Sequence, residues 1–321
     1  MNKQIPGIHH VTAIASDPQR NVDFYTNILG LRLVKLTVNF DDPSTYHLYY
    51  GDERGNPGTI LTFFPWTSAS RGRRGTGQVG VTSFAVPEGT LNYWEERLRQ
   101  RGITVGQRQH RFDEEVLPFL DPDWMQLELV AHPGAGSLTP QGGGPVAAEY
   151  AIRGFHSVTL WERDPQPSVA LLTETLGFRL VQESGPRFRF QAASQDPGAF
   201  VDLLHLPDGE TGWGGAGTVH HVAWRTPNDS EQLAWRQEIA DRGLRVTSVM
   251  DRQYFRSIYF REPGGVLFEI ATDPPGFLRD ESLAELGTHL KLPPWLEPRR
   301  ARIEETLPAL ALPGNGSPDR S

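Results

Sequence analysis

The sequence predicts an α+β protein of four βαβββ modules in two tandem halves, with mixed sheets curled around a cleft and a C-terminal extension. Three observations predict it. GIHHVTAIASDPQRNVDFYTNILGLRLV from Gly7 aligns without a gap to GFHSVTLWERDPQPSVALLTETLGFRLV from Gly154, pairing Asp17 with Asp164 and Gly30 with Gly177. A second pair relates GTGQVGVTSFAVP from Gly75 to GAGTVHHVAWRTP from Gly215, and DPDWMQLELV from Asp121 to EPGGVLFEIA from Glu262. Finally, 33 Gly and 26 Pro in 321 residues suit many short strands joined by turns. The modules start near residues 7, 77, 154 and 217.

Each module opens on an alternating strand such as His10–Ile14. A helix follows, marked by Val22, Tyr25 and Leu29 in the first module and Leu91, Trp94 and Leu98 in the second. Asp17-Pro18 supplies a start signal, and Gly30 and Gly102 supply stops. Three strand-like runs come next; in the fourth module they are Arg245–Asp251, Ser257–Arg261 and Val266–Ala271. One helix covers one sheet face, so the other must be buried by a second module. The expected division is 1–132 for the first half, the Gly/Pro-rich 133–148 as linker, 149–273 for the second half and 274–321 for the extension. Apolar residues from Phe277 to Leu296 predict that the extension packs on the body near the cleft holding Glu269. Arg302–Leu307 reads as a short helix, and the residues after Pro308 read as mobile.

Composition narrows the function. With 31 basic and 39 acidic residues the net charge is −8, without the basic excess of a nucleic-acid binder. No cysteine is present, which excludes disulfides, thiolate metal sites and Cys nucleophiles. No apolar run approaches the roughly 18 residues of a membrane span. The expectation is a soluble cytoplasmic protein with no nucleic-acid or membrane partner. Exposed edge strands allow a homo-oligomer.

The chemistry lies in histidines at related strand starts: His9-His10 opens the first module and His220-His221 the fourth. Neighbours in a strand face opposite sides, and strand phase alone does not say which of each pair faces inward. Glu269 sits inside the apolar run Val266–Ala271, where a carboxylate is costly unless paired or bound to a cation. Two imidazoles and one carboxylate make the facial triad of non-haem Fe(II) oxygenases. The repeat is an internal control. Ser157 and Val81 stand at the positions equivalent to His10 and His221, and only Glu128 remains opposite Glu269. One metal cleft is expected, with Glu128 structural.

These residues resemble the vicinal oxygen chelate superfamily. GIHHVT (7–12), YHLY (46–49), GTILTFF (58–64), GFHS (154–157), VDLLH (201–205), His220-His221 and LKLPPWLE (290–297) resemble its ring-cleaving hydroquinone and chlorohydroquinone 1,2-dioxygenases, over about residues 5–307. The resemblance implies His10, His221 and Glu269 as ligands of Fe(II), with Mn(II) as the alternative ion. It implies His220 as the acid/base beside the metal, and Thr12, Arg252 and Tyr259 around a small aromatic diol that reacts with O₂. A histidine titrating near pH 7 would supply the proton. His9 and His156, at matching positions in modules one and three, are implied as second-layer or structural residues. A glyoxalase-type isomerase is one alternative, but it usually needs four protein ligands, and the strand around Thr62 and Phe64 offers no carboxylate. A non-enzymatic small-molecule-binding resistance protein is the other, disfavoured by the two His-His pairs.

Overall fold

The structure is a computed structural model that describes residues 3–140, 144–194 and 198–312. The first module runs β1 (Ile8–Ala15), α1 (Pro18–Asp23), a π-helical turn (Phe24–Ile28), β2 (Arg32–Val38), β3 (Tyr46–Gly51) and β4 (Ile60–Pro65). The Asp17 carboxylate caps α1 by accepting the Arg20 N–H at 2.8 Å, and Pro18 occupies the first turn, where no N–H is needed. Val22, Tyr25 and Leu29 are buried, and Gly30 ends the segment with φ of 74°.

The second module is β5 (Gln78–Val86), α2 (Leu91–Gln100), β6 (Gln109–Arg111), β7 (Glu114–Leu120) and β8 (Gln126–Ala131). The third is β9 (Phe155–Glu162), α3 (Gln166–Ala170) with a π-helical turn (Leu171–Thr175), β10 (Arg179–Ser184), β11 (Arg187–Gln191) and β12 (Phe200–His205). The fourth is β13 (Thr218–Thr226), α4 (Asp229–Asp241), β14 (Met250–Asp251), β15 (Arg256–Arg261) and β16 (Leu267–Thr272). The βαβββ order therefore recurs four times. The predicted strand Arg245–Asp251 is shorter than expected. Thr247 accepts the Tyr259 N–H on its side chain, so regular pairing begins only at Met250.

The strands form two eight-stranded mixed sheets, ordered β14-β15-β16-β13-β1-β4-β3-β2 and β10-β11-β12-β9-β5-β8-β7-β6. Module one thus pairs with module four, and module two with module three. Antiparallel seams, β1–β13 and β9–β5, join each pair. All eight residues of β1 are buried, because the helices cover one face and the curled sheet encloses the other.

The extension covers the outer edge of the first sheet. Leu290 bridges Leu36 in β2, and the Lys291 N–H donates to the Leu36 carbonyl at 2.9 Å. Buried Lys35 donates to the Phe277 carbonyl at 3.2 Å and Asp280 at 2.6 Å, and also reaches Glu281. Phe277, Leu286, Leu292 and Leu296 are buried. So is Ile303, on the short α5 (Arg300–Thr306). The extension reaches the cleft wall where Trp295 meets Phe40, ring centroids 5.7 Å apart. The start of the expected mobile end is held instead. The Ala311 N–H donates to the Gln19 side chain at 2.7 Å, and the Gln19 amide donates back to the Ala311 carbonyl at 3.2 Å, just beyond Pro308, whose carbonyl accepts from Tyr46 at 2.9 Å. Residues 313–321 lie outside the described residues.

Candidate metal centre

The seam of the first sheet resolves the phase of the histidine pairs. Ile8 faces Trp224 and His10 faces Ala223, which leaves His9 as an extra residue in β1. Thr12 faces His221 and Ala13 faces Val219, which leaves His220 as an extra residue in β13. A bulge re-aims the side chains around it. Here each one brings a pair's first ring against its second: His9 Nδ1 lies 2.9 Å from His10 Nδ1, and His220 Nδ1 lies 2.7 Å from His221 Nδ1.

The second histidine of each pair points inward. His10 Nε2 and His221 Nε2 are 3.3 Å apart. Glu269 Oε2 lies 2.9 Å from His221 Nε2 and 3.3 Å from His10 Nε2. Its other oxygen accepts the Ser257 hydroxyl at 2.5 Å. All three ligand residues are buried. Glu269 Oε2 receives no directed hydrogen bond, so three lone-pair atoms converge on one point. Burial opposes ionisation of Glu269, yet His10 and His221 beside it hold the carboxyl well below its ordinary range. Separations near 3 Å match the edge of an octahedron with metal–ligand bonds of about 2.1 Å. The donor set and the orphaned oxygen fit a divalent ion held by His10, His221 and Glu269.

Each Nδ1–Nδ1 contact needs one proton between the two nitrogens. If Nε2 of His10 and of His221 offer lone pairs inward, their Nδ1–H groups donate to His9 and His220. His220 then presents Nε2–H to the cleft. Its ring is open to the cavity, but desolvation among the cleft walls, ahead of neighbouring His221, pushes its pKa down to about 3. Burial thus favours the neutral imidazole of His220. His9 is buried, and that burial lowers its pKa well below the ordinary value.

The centre opens into a cavity of about 390 Å³. Thr12, His220, Arg252 and Tyr259 line it. Tyr259 is the strand neighbour of Glu269. Arg252 donates to the Tyr259 hydroxyl at 3.3 Å and pairs with Asp41 at 3.0 Å. Phe64, Trp66 and Phe255 supply aromatic walls. A wider cleft of about 680 Å³ between the sheets also borders His220 and His221, but not His10.

His156 is not part of this centre. It sits in the second sheet, where its Nε2 meets Glu114 at 2.8 Å and its Nδ1 meets Ser157 at 3.0 Å. His132 completes a second His-His-Glu group there, but Arg189 already supplies a cation to Glu114 at 2.6 Å. Sequence reasoning missed His47 as a site residue. On β3 it shares a face with Tyr49, two residues on, and both line the cavity. Two polar rings on one face of a buried strand were the available signal.

Residues 7–129 and 154–270 match the Glyoxalase/Bleomycin resistance protein/Dioxygenase superfamily. "Putative ring-cleaving dioxygenase MhqO" of Bacillus subtilis (strain 168) is 48% identical over 307 residues, covering 96% of this chain and 97% of that protein. The chlorohydroquinone/hydroquinone 1,2-dioxygenase of Sphingobium indicum is 34% identical over 313 residues, covering 95% and 97%. The crystal structure of a "putative dioxygenase" from Bacillus subtilis subsp. subtilis str. 168 superposes with a TM-score of 0.93 at 47% identity, covering 97% of this chain and 99% of that one. Glyoxalase I from Zea mays shares the fold, with a TM-score of 0.65 at 16% identity over 88% of this chain and 97% of that one. By sequence and by fold, the chain belongs to the glyoxalase/bleomycin resistance protein/dioxygenase superfamily.

Proposed function

We propose that the chain is a ring-cleaving dioxygenase that holds Fe(II), with Mn(II) as the alternative ion, on His10, His221 and Glu269. It opens a dihydroxylated aromatic of the hydroquinone type and incorporates both atoms of O₂. The carrying observation is the buried three-ligand centre at the floor of an aromatic-walled cavity. The relatives' names support the same reading.

When bound, the metal supplies a Lewis acid that lowers the pKa of a phenolic oxygen, together with a redox centre for O₂. The protein's own residues orient and exclude. Phe64, Trp66 and Phe255 flank a ring and keep water from its faces. The Arg252 guanidinium holds an anionic oxygen or substituent, and Tyr259 donates a hydrogen bond beside Glu269. Burial raises the Tyr259 pKa, so the phenol keeps its proton for that bond. His220 donates from Nε2 at the cleft, and His9 fixes the His10 tautomer from behind.

A glyoxalase-type isomerase is disfavoured. Among the described residues the centre gathers three ligating side chains. Thr62, opposite Thr12 on β4, adds no carboxylate. The same reading keeps the halves at 1–132 and 149–273, joined through 133–148 and followed by 274–321. It places the protein in the cytoplasm, with exposed β10 as an edge through which a homo-oligomer forms. No described helix is long and apolar enough to cross a membrane.

O₂ uptake by protein loaded anaerobically with Fe(II) tests the activity. Uptake with hydroquinones, at one O₂ per ring opened, is expected. No uptake with any aromatic diol would overturn it.

A further inference from the structure

We propose that Tyr49 and His47 are positioning residues: through Thr62 they hold the Thr12 hydroxyl as a one-way hydrogen-bond donor into the metal cavity, selecting a substrate with a phenol or phenolate oxygen at that point. The inference rests on the aromatic reading of the cavity and deepens it.

Four side chains form one line. The Tyr49 hydroxyl lies 2.8 Å from His47 Nδ1, His47 Nε2 lies 2.8 Å from Thr62 Oγ1, and the Thr62 hydroxyl lies 2.9 Å from Thr12 Oγ1. Burial pushes His47 down and Tyr49 up, so both rings are neutral and His47 carries a single N–H. Such a chain has two polarities. If Thr12 donated toward Thr62, either Thr62 would accept from both neighbours and leave its own hydroxyl hydrogen unmet, or every bond behind it would reverse and leave the phenolic hydrogen of Tyr49 without an acceptor in the chain. Thr62 is 0% exposed, and Tyr49, although it borders the cavity, is 1% exposed; a buried unmet donor costs about 1–3 kcal/mol. In the other polarity Tyr49 donates to His47, His47 to Thr62 and Thr62 to Thr12. The Thr12 hydrogen is then free, and Thr12 lines the cavity. The Tyr49 end of the chain therefore dictates what the Thr12 end offers beside the metal centre: a donor, which an oxygen acceptor on the substrate satisfies.

The second sheet shows that this line is specific to the metal side. Tyr49 neighbours Thr62, which neighbours Thr12. In the equivalent register Arg189 neighbours Asp202, which neighbours Thr159. Arg187 takes the place of His47, and its guanidinium fills the space by donating to Thr159 at 3.1 Å and Asp202 at 2.9 Å. A neutral relay ending in a cavity is replaced by an ion pair ending in protein.

The test is a double-mutant cycle on binding, not turnover. The dissociation constant of 4-nitrophenol is measured anaerobically on metal-loaded protein for wild type, Thr12→Val, Tyr49→Phe and the double variant, with metal content and Tm as controls. Thr12→Val and Tyr49→Phe are each expected to weaken binding about tenfold, and the double variant no more than Thr12→Val alone, because Tyr49 acts through Thr12. His47→Gln, which can still accept and donate, should keep near wild-type affinity, and His47→Leu should lose it. This second pair reads the relay if Thr12→Val fails to fold. Additive losses, or equal affinity in His47→Gln and His47→Leu, would overturn the relay and leave the aromatic reading standing. Absence of 4-nitrophenol binding by metal-loaded wild type would overturn the aromatic reading and the relay with it.

Discussion

In the first sheet His10 faces Ala223, and Ala223 lies beside Glu269. In the second, Ser157 faces Ser83, and Ser83 lies beside Glu128. Thr12 faces His221 in one seam, and Thr159 faces Val81 in the other. Even the bulges recur, at His9 and His220 in one seam and at His156 and Gly80 in the other. The backbone frame is the same, but its contents diverge. Without two imidazoles, Glu128 takes a bidentate pair from Arg111 at 2.7 and 2.8 Å and a hydroxyl from Ser83 at 2.8 Å. Arg111 stands in the register of Arg252, and each precedes a residue with positive φ, Phe112 at 54° and Gln253 at 66°. On the metal side Arg252 stays at the cavity wall with Tyr259 and Asp41. On the other side the guanidinium moves onto the carboxylate. The difference teaches that the buried carboxylate at this register is balanced by arginine on one side and, on the proposed reading, by a metal ion on the other.

The position of His220 offers the largest effect. Its counterpart is Gly80, where a Cβ would lie 2.2 Å from the Trp161 ring, so the second sheet has no room for a polar group there. His220→Ala should keep the metal but cut turnover by roughly 10²–10⁴. Metal loss in His220→Ala with retention in His221→Ala would invert the pair, as paired metal analysis and O₂-uptake rates would show.

The sheet edges differ as well. Leu33 and Val34 on β2 are 5% and 0% exposed under the extension, whereas their counterparts Leu180 and Val181 on β10 are 44% and 40% exposed. Truncation after Pro275 strips the cover and leaves buried Lys35 without its acidic partners. Loss of one partner from a buried ion pair costs about 3–5 kcal/mol, so a fall in Tm of many degrees is expected by calorimetry. Among the described residues, truncation after Pro308 removes the two Ala311–Gln19 hydrogen bonds and peripheral apolar contacts, and should shift Tm by a few degrees at most.

Glu128→Gln probes the ion-paired side. Metal content and turnover should stay at wild-type level, while stability falls by about 3 kcal/mol in urea unfolding, because Arg111 loses its charge partner. Loss of metal in this variant would make the two sides one functional unit.

The smallest effect concerns matching turns, after β7 and after β15. Burial pushes Asp121 up to about 7, although Met125 N–H and Tyr25 hydroxyl bonds oppose the rise. Glu262, its counterpart, is also raised by burial. A carboxyl with a folded pKa above its unfolded value binds its proton more tightly in the native state, so stability falls as pH rises from about 4 through 7. Wild type should melt higher at pH 5 than at pH 8, and Asp121→Asn should reduce that difference. An unchanged slope would contradict the assignment.

Much of this was legible in the sequence because the repeat is gapless where it matters. Gly7 with Gly154 and Gly30 with Gly177 fixed the modules, and Glu269 in an apolar run marked the centre. Which ring of each His-His pair points inward was not legible from strand phase, because the bulges at His9 and His220 break the two-residue period. His47 was hidden because the hydrogen-bond line it joins spans three strands. The Lys35 anchor was hidden because its acidic partners lie about 245 residues away in a segment outside the repeat.

The central claim is that one side of a duplicated frame holds a cation through His10, His221 and Glu269 while the other holds arginine. Metal analysis of wild type, Glu269→Ala and Glu128→Ala after anaerobic Fe(II) loading and desalting tests it most directly. The account predicts one equivalent per chain in wild type and Glu128→Ala, and none in Glu269→Ala. Full occupancy in Glu269→Ala, or two equivalents in wild type, would contradict it.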